Sequence, residues 1–131
     1  MVGDFGAVYL VDWGLARVMA AEPDAAAIAR RPSVVGTLSH MPPEQARGDS
    51  ELADERSDVF GLGALLYHIV TGCAPYPGDD SAALVEAARR GERVAADEAL
   101  GDARVSNRLL RIIDKAMQHE PSDRFASAVE L

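Results

Sequence analysis

The chain has 131 residues, 48% of them hydrophobic, which suffices for a real core but for one domain at most. A formal charge of −8 argues against nucleic acid or an acidic membrane surface as a partner, since both require a basic face. Cys73 is the one cysteine, so no internal disulfide is expected and a reducing cytoplasm is the natural setting. The residues after Met1 lack the basic start and apolar run of a signal peptide, and no solenoid-length period repeats.

In chain order, Gly3-Asp4-Phe5-Gly6 is turn chemistry between Val2 and the apolar run 7–11, which predicts a small N-terminal β-hairpin ending at Val11. Gly14 breaks the second strand, residues 15–19 begin a helical turn, and the alanine-rich stretch 20–31 reads as a surface loop. Residues 36–43 hold too many turn formers for a regular element, and 44–47 predict a short helix ended by Gly48. The stretch 57–71 is apolar all round and predicts a central helix, capped by Ser57 or Asp58 and stopped by Gly72 and Pro75. It is too short, and too interrupted by Gly61, Gly63 and His68, to span a bilayer. Its two glycines imply that another backbone comes close on that face. A Pro/Gly loop follows over 74–80. A helix over 81–90 is expected with Ser81 as cap and Gly91 after its end. Ser106 caps the next helix, with Leu109, Ile113, Ala116 and Met117 as its core stripe and Pro121 as its stop. Residues 126–131 begin another helix. The expected fold class is mainly α with a small β-hairpin.

Four motifs occur in a fixed order: Asp12-Trp13-Gly14-Leu15-Ala16, Gly36-Thr37, Met41-Pro42-Pro43-Glu44, and Ser57-Asp58-Val59-Phe60-Gly61. Together they resemble the C-terminal lobe of bacterial-type serine/threonine protein kinases, over essentially all 131 residues. Asp12-Trp13-Gly14 is similar to the family's Asp-Phe-Gly motif, Pro42-Pro43-Glu44 to its Ala-Pro-Glu, and His119-Glu120-Pro121 with Arg124 to a late Asp-Pro and arginine. The resemblance divides the chain into a hairpin (1–11), an activation segment (12–44) and a helical subdomain (45–131), an incomplete α+β kinase lobe.

The resemblance implies roles residue by residue. Asp12 is the magnesium ligand, a hard oxygen at a strand end, with Trp13 and Gly14 as its structural neighbours. Gly36, Thr37, Leu38, Ser39, His40, Met41 and Pro42 form the substrate-facing loop, and Thr37 fits a serine/threonine preference. Glu44 pairs with Arg124, and Asp58 braces the catalytic loop. Ser33, beside Arg30 and Arg31, and Thr37 are candidate phosphorylation sites. ATP and Mg²⁺ are the implied cofactors.

Two look-alikes fail. Asp4-Phe5-Gly6 spells the magnesium motif inside a hairpin turn. Gly3-Asp4-Phe5-Gly6-Ala7-Val8-Tyr9 imitates the nucleotide-covering glycine loop, which requires a following strand lysine; among 12 Arg the one lysine is Lys115, on a late helix. None of His40, His68 and His119 is followed by Arg-Asp, and their spacing is not that of metal ligands. The catalytic-loop aspartate, the second metal ligand and the lysine–glutamate pair are therefore absent from these residues, so the chain alone is expected to be inactive and to bind ATP and Mg²⁺ weakly. His40 stands where related kinases commonly carry an aromatic residue, and Pro42 where they carry alanine. The expected partners are a protein substrate or the kinase's N-terminal portion, with self-association also expected from an incompletely covered central helix. A second reading is a non-catalytic protein-binding module that docks through the loop and the helix 81–90.

Overall fold

The computed structural model describes residues 37–49, 53–100 and 105–131, all within the compact unit Pro32–Leu131. The expected hairpin, Asp12, Trp13, Gly14, Ser33 and Gly36 lie outside the described residues. The described residues form five helices: α1 (Pro43–Arg47), α2 (Glu55–Thr71), α3 (Ser81–Arg90), α4 (Ala96–Leu100) and α5 (Asn107–Ala116). Single 3₁₀ turns at Leu38–His40 and Pro121–Asp123 flank them, and no strand occurs among the described residues. The architecture agrees with the helical part of the expected fold class.

The central helix is longer than its sequence pattern suggests. It starts at Glu55, and its cap is Asp54, whose carboxylate accepts from Arg56 N at 2.8 Å. Ser57 lies inside the first turn of the helix, buried, and its hydroxyl donates to Glu44 Oε1 at 2.7 Å. The far end is as expected, with Gly72 left-handed at φ 73° and its N–H on the His68 carbonyl.

Burial around α2 is one-sided, which departs from the all-round burial that its apolar pattern suggests and agrees with the expectation of an incompletely covered helix. Phe60, Gly63, Ala64 and Tyr67 recur at helical spacing and are buried, whereas Leu62, Leu65 and Ile69 are 38%, 55% and 69% exposed. Only one of the two glycines is at a close approach. A Cβ at Gly63 would lie 2.7 Å from Ala116 Cβ and 2.9 Å from Met117 Cγ, whereas one at Gly61 would meet nothing within 4 Å. Gly63 thus marks where α5 seats on α2.

Met41, Phe60, Tyr67, Tyr76, Ile113 and Met117 are prominent in the core. α5 contributes Ile113, Ala116 and Met117 as its pattern predicts, with Leu109 at the margin, and Ser106 caps it by accepting from Leu109 N. It ends at Ala116, before Pro121. For α3 the cap is Asp80 rather than Ser81: its carboxylate accepts from Ala83 N at 2.8 Å, the N3 position where a cap is most effective. Residues 126–131 do not form the expected helix. They make turns in which Glu130 closes back on Ala126 N. No helix among the described residues is long and apolar enough to cross a membrane.

Candidate functional site

The site is built on the short stretch between Thr37 and α1. Pro42 and Pro43 bias this stretch to extended backbone and then to a helix start, since proline suits the first helical position. Thr37 is exposed and extended (φ −77°, ψ 100°), and its carbonyl accepts from His40 N at 2.9 Å to close the 3₁₀ turn that the turn-rich sequence concealed. The turn is pinned on two sides. Met41 enters the core at 3% exposure, and Tyr76 N donates to the Ser39 carbonyl at 3.3 Å. Burial pushes the Tyr76 phenol up to about 12, so it stays neutral at any ordinary pH.

Immediately after this stretch, Glu44 sits in the first turn of α1, where the helix dipole also favours a carboxylate. Its side chain points inward and is fully buried. Arg124 meets it in a fork, Nη1 to Oε1 and Nη2 to Oε2, both at 2.8 Å. The remaining donors of Arg124 are also used: Nη1 reaches the Arg56 carbonyl, Nη2 the His119 carbonyl, and Nε the Gln118 carbonyl at 2.8 Å. All five N–H groups of this buried guanidinium therefore have acceptors, which is what a buried charge needs in order not to be a net liability. Its face lies 4.9 Å from the centre of the Phe60 ring, adding a cation–π contact. Burial raises the Glu44 carboxyl, but the bonds from Arg124 and Ser57 outweigh it and hold the group below the usual carboxylate range.

A second tie reaches the turn from α2. His40 Nε2 and His68 Nδ1 are 2.9 Å apart, and His40 Nδ1 is 2.9 Å from Ser39 Oγ. The resemblance pointed to His40 as a loop residue but gave no partner for it. Neither His68, Ser57 nor Phe60 was singled out as functional by the sequence, since nothing local in it says that they face the segment 37–44. Asp58, expected to brace a catalytic loop, lies exposed on the first turn of α2 without a hydrogen bond or ion pair among the described residues. Asp12 lies outside them. Among the described residues no group of three or more His, Cys, Asp or Glu side chains could hold a metal ion, so they supply no metal centre of their own.

Comparison with known proteins agrees with this arrangement. A protein-family profile described as "Protein kinase domain" matches residues 1–131. Over 121 residues the chain is 36% identical to the serine/threonine-protein kinase pkn3 of Myxococcus xanthus, a match covering 92% of this chain and 22% of that protein. It is 34% identical over 131 residues to the serine/threonine-protein kinase PknB of Mycobacterium leprae, covering 100% of this chain and 20% of that one. The chain thus spans about a fifth of the length of these curated relatives. Among solved structures, a crystal structure of Rad53 residues 1–466 in complex with AMP-PNP superimposes with a TM-score of 0.59 at 29% identity, over 72% of this chain and 24% of that one. On the family match, the order of its motifs and the helical architecture, the chain belongs to the protein kinase domain family and is of the bacterial serine/threonine type.

Proposed function

We propose that this chain is a C-terminal-lobe portion of a protein serine/threonine kinase, divided into hairpin (1–11), activation segment (12–44) and helical subdomain (45–131), whose residues 36–42 receive the peptide that is phosphorylated. The observation that carries the reading is the Glu44–Arg124 fork directly behind that segment, which fixes the segment's downstream end to α2 and to the end of α5. Positioning of this kind is most of what a protein contributes to phosphoryl transfer. Asp12 is assigned as a magnesium ligand, Thr37 as the residue behind a serine/threonine preference, and Ser33 and Thr37 as candidate phosphosites. ATP and Mg²⁺ supply the transferred phosphoryl group and its charge neutralisation when bound.

By themselves the 131 residues do not catalyse. They hold neither a His-Arg-Asp sequence nor a glycine loop with a strand lysine, and a single carboxylate binds magnesium weakly because the ion gives up its waters reluctantly. The test is purified chain with magnesium, labelled ATP and a generic basic protein, with Asp12→Ala as control. Phosphate incorporation abolished by Asp12→Ala would refute inactivity. A second reading, a protein-binding module derived from a kinase lobe, draws support from the exposed Leu62, Leu65 and Ile69 on α2. Retention of a basic peptide by the inactive chain, lost on displacing segment 37–42, favours that reading.

A further inference from the structure

The contact between His40 and His68 has a geometry that constrains its protons. The ring centroids are 5.1 Å apart and the planes differ by 11°, while the facing nitrogens are 2.9 Å apart. The centroid separation is close to the N···N distance plus the two ring radii, so the imidazoles meet edge to edge in nearly one plane rather than face to face. That is a near-linear hydrogen bond, and such a bond holds one hydrogen between the two nitrogens. Ser39 Oγ at His40 Nδ1 extends the relay and is compatible with either direction, because a hydroxyl both donates and accepts.

We propose that His40 and His68 form a proton-sensitive latch that fastens segment 37–42 to α2, with His68 as its positioning residue. The latch is closed when both rings are neutral. It stays closed after one proton is taken up, since an imidazolium still donates to its neutral partner and the bond becomes charge-assisted. It opens when the second proton arrives, because two N–H groups then face each other and two like charges adjoin.

Among the described residues packed on the turn, none is placed to offset the second charge. From the loop after α2, Tyr76 approaches with its backbone and a neutral phenol. From α3, which packs on the same turn, Arg89 is committed to the Ala46 carbonyl, and Glu86 is shared with Arg89 and Arg90. Burial first, and the charge of His68 second, hold the His40 imidazole below its ordinary value of 6.5. The sign follows from that direction. A histidine whose folded value is depressed binds fewer protons folded than released, so the attachment is complete above the ordinary value and weakens as pH falls below it.

The latch would regulate the peptide-receiving segment only if the proposed role of that segment holds, but the attachment itself is measurable without any substrate. The experiment is a titration of the labelled full chain from about pH 8 to about pH 5 by long-range ¹H–¹⁵N spectra of the three histidines, with hydrogen exchange of the His40, Met41 and Tyr76 amides. These amides report the bonds of the turn to itself and to its loop. The expected result is coupled titration of His40 and His68, with protection of the three amides falling by about tenfold across the second step after correction for intrinsic exchange. His68→Gln, whose amide can donate to the neutral His40 ring or accept from the protonated one without titrating, keeps the protection at the acid end, and His68→Ala loses it at both ends. Independent titration of the two rings, or protection unmoved by His68→Ala, would overturn the latch. Because His68 is exposed, neither variant threatens the core.

Discussion

Arg124 and Glu44, 80 residues apart in sequence, are joined by two hydrogen bonds of 2.8 Å with both side chains wholly buried. The pair connects the helix behind the candidate substrate segment to the first turn of α2 and to the turn after α5. A buried ion pair is weak evidence for net stabilisation, but losing one member strands the other in a medium that cannot solvate it. Arg124→Ala is therefore expected to destabilise the fold by about 3–5 kcal/mol. Arg124→Lys should recover little of this, since a point-like ammonium cannot serve a forked carboxylate and three carbonyls. Urea unfolding at neutral pH measures both, and Arg124→Ala/Glu44→Ala should be less destabilised than the sum of its single variants.

The same pair sets an acid limit. Because the Glu44 carboxyl is held below its ordinary value, its contribution is fully present above the unfolded-state value and is lost as pH falls through the folded one. The urea midpoint should decline from about pH 5 downward, and Glu44→Gln should lack that part of the decline. An unchanged acid slope in Glu44→Gln would show that other carboxylates dominate.

Local signals in the sequence located what is locally determined. Gly48, Gly72 and Gly91 end their helices at left-handed φ of 80°, 73° and 67°, and each is visible as a glycine after a helix-forming run. Helix starts were less legible where acidic and hydroxyl residues cluster. Residues 54–58 offer three possible caps, and nothing local shows that Asp54 takes the role while Ser57 turns to Glu44, a tertiary bond. α4 is one short helix, and five residues are too few to show a period that would separate 96–100 from a loop. The Glu44–Arg124 pair was foreseeable only through family resemblance, since no local pattern links residues so far apart. The His40–His68 bond, spanning 28 positions, had no signal at all.

Gly61 and Gly63 are chemically equivalent neighbours with opposite surroundings, which makes a paired test. Gly63→Ala drives a methyl into Ala116 and Met117, and Ala116 has no flexible end to move aside, so a loss of about 1–3 kcal/mol is expected. Gly61→Ala has open space and a helical backbone, so it should stabilise by up to about 1 kcal/mol. Thermal unfolding of the two variants beside the parent decides the matter. Equal effects would mean that α5 does not seat on α2 at Gly63.

The last expectation concerns the two faces of α2. Phe60 is 1% exposed and packs beneath Arg124, so Phe60→Ala should cost about 3–5 kcal/mol through lost burial and a cavity. Ile69 is as apolar as any core residue but 69% exposed, and Ile69→Ser should stay within about 0.5 kcal/mol of the parent at high dilution. The exposed stripe of Leu62, Leu65 and Ile69 nevertheless remains in contact with water at a cost that association would relieve. Sedimentation velocity over a range of concentrations should therefore show reversible association of the parent that Ile69→Ser weakens. A strictly monomeric parent would remove the case for association. A loss above about 1 kcal/mol in dilute Ile69→Ser would mean that this face is covered within the chain.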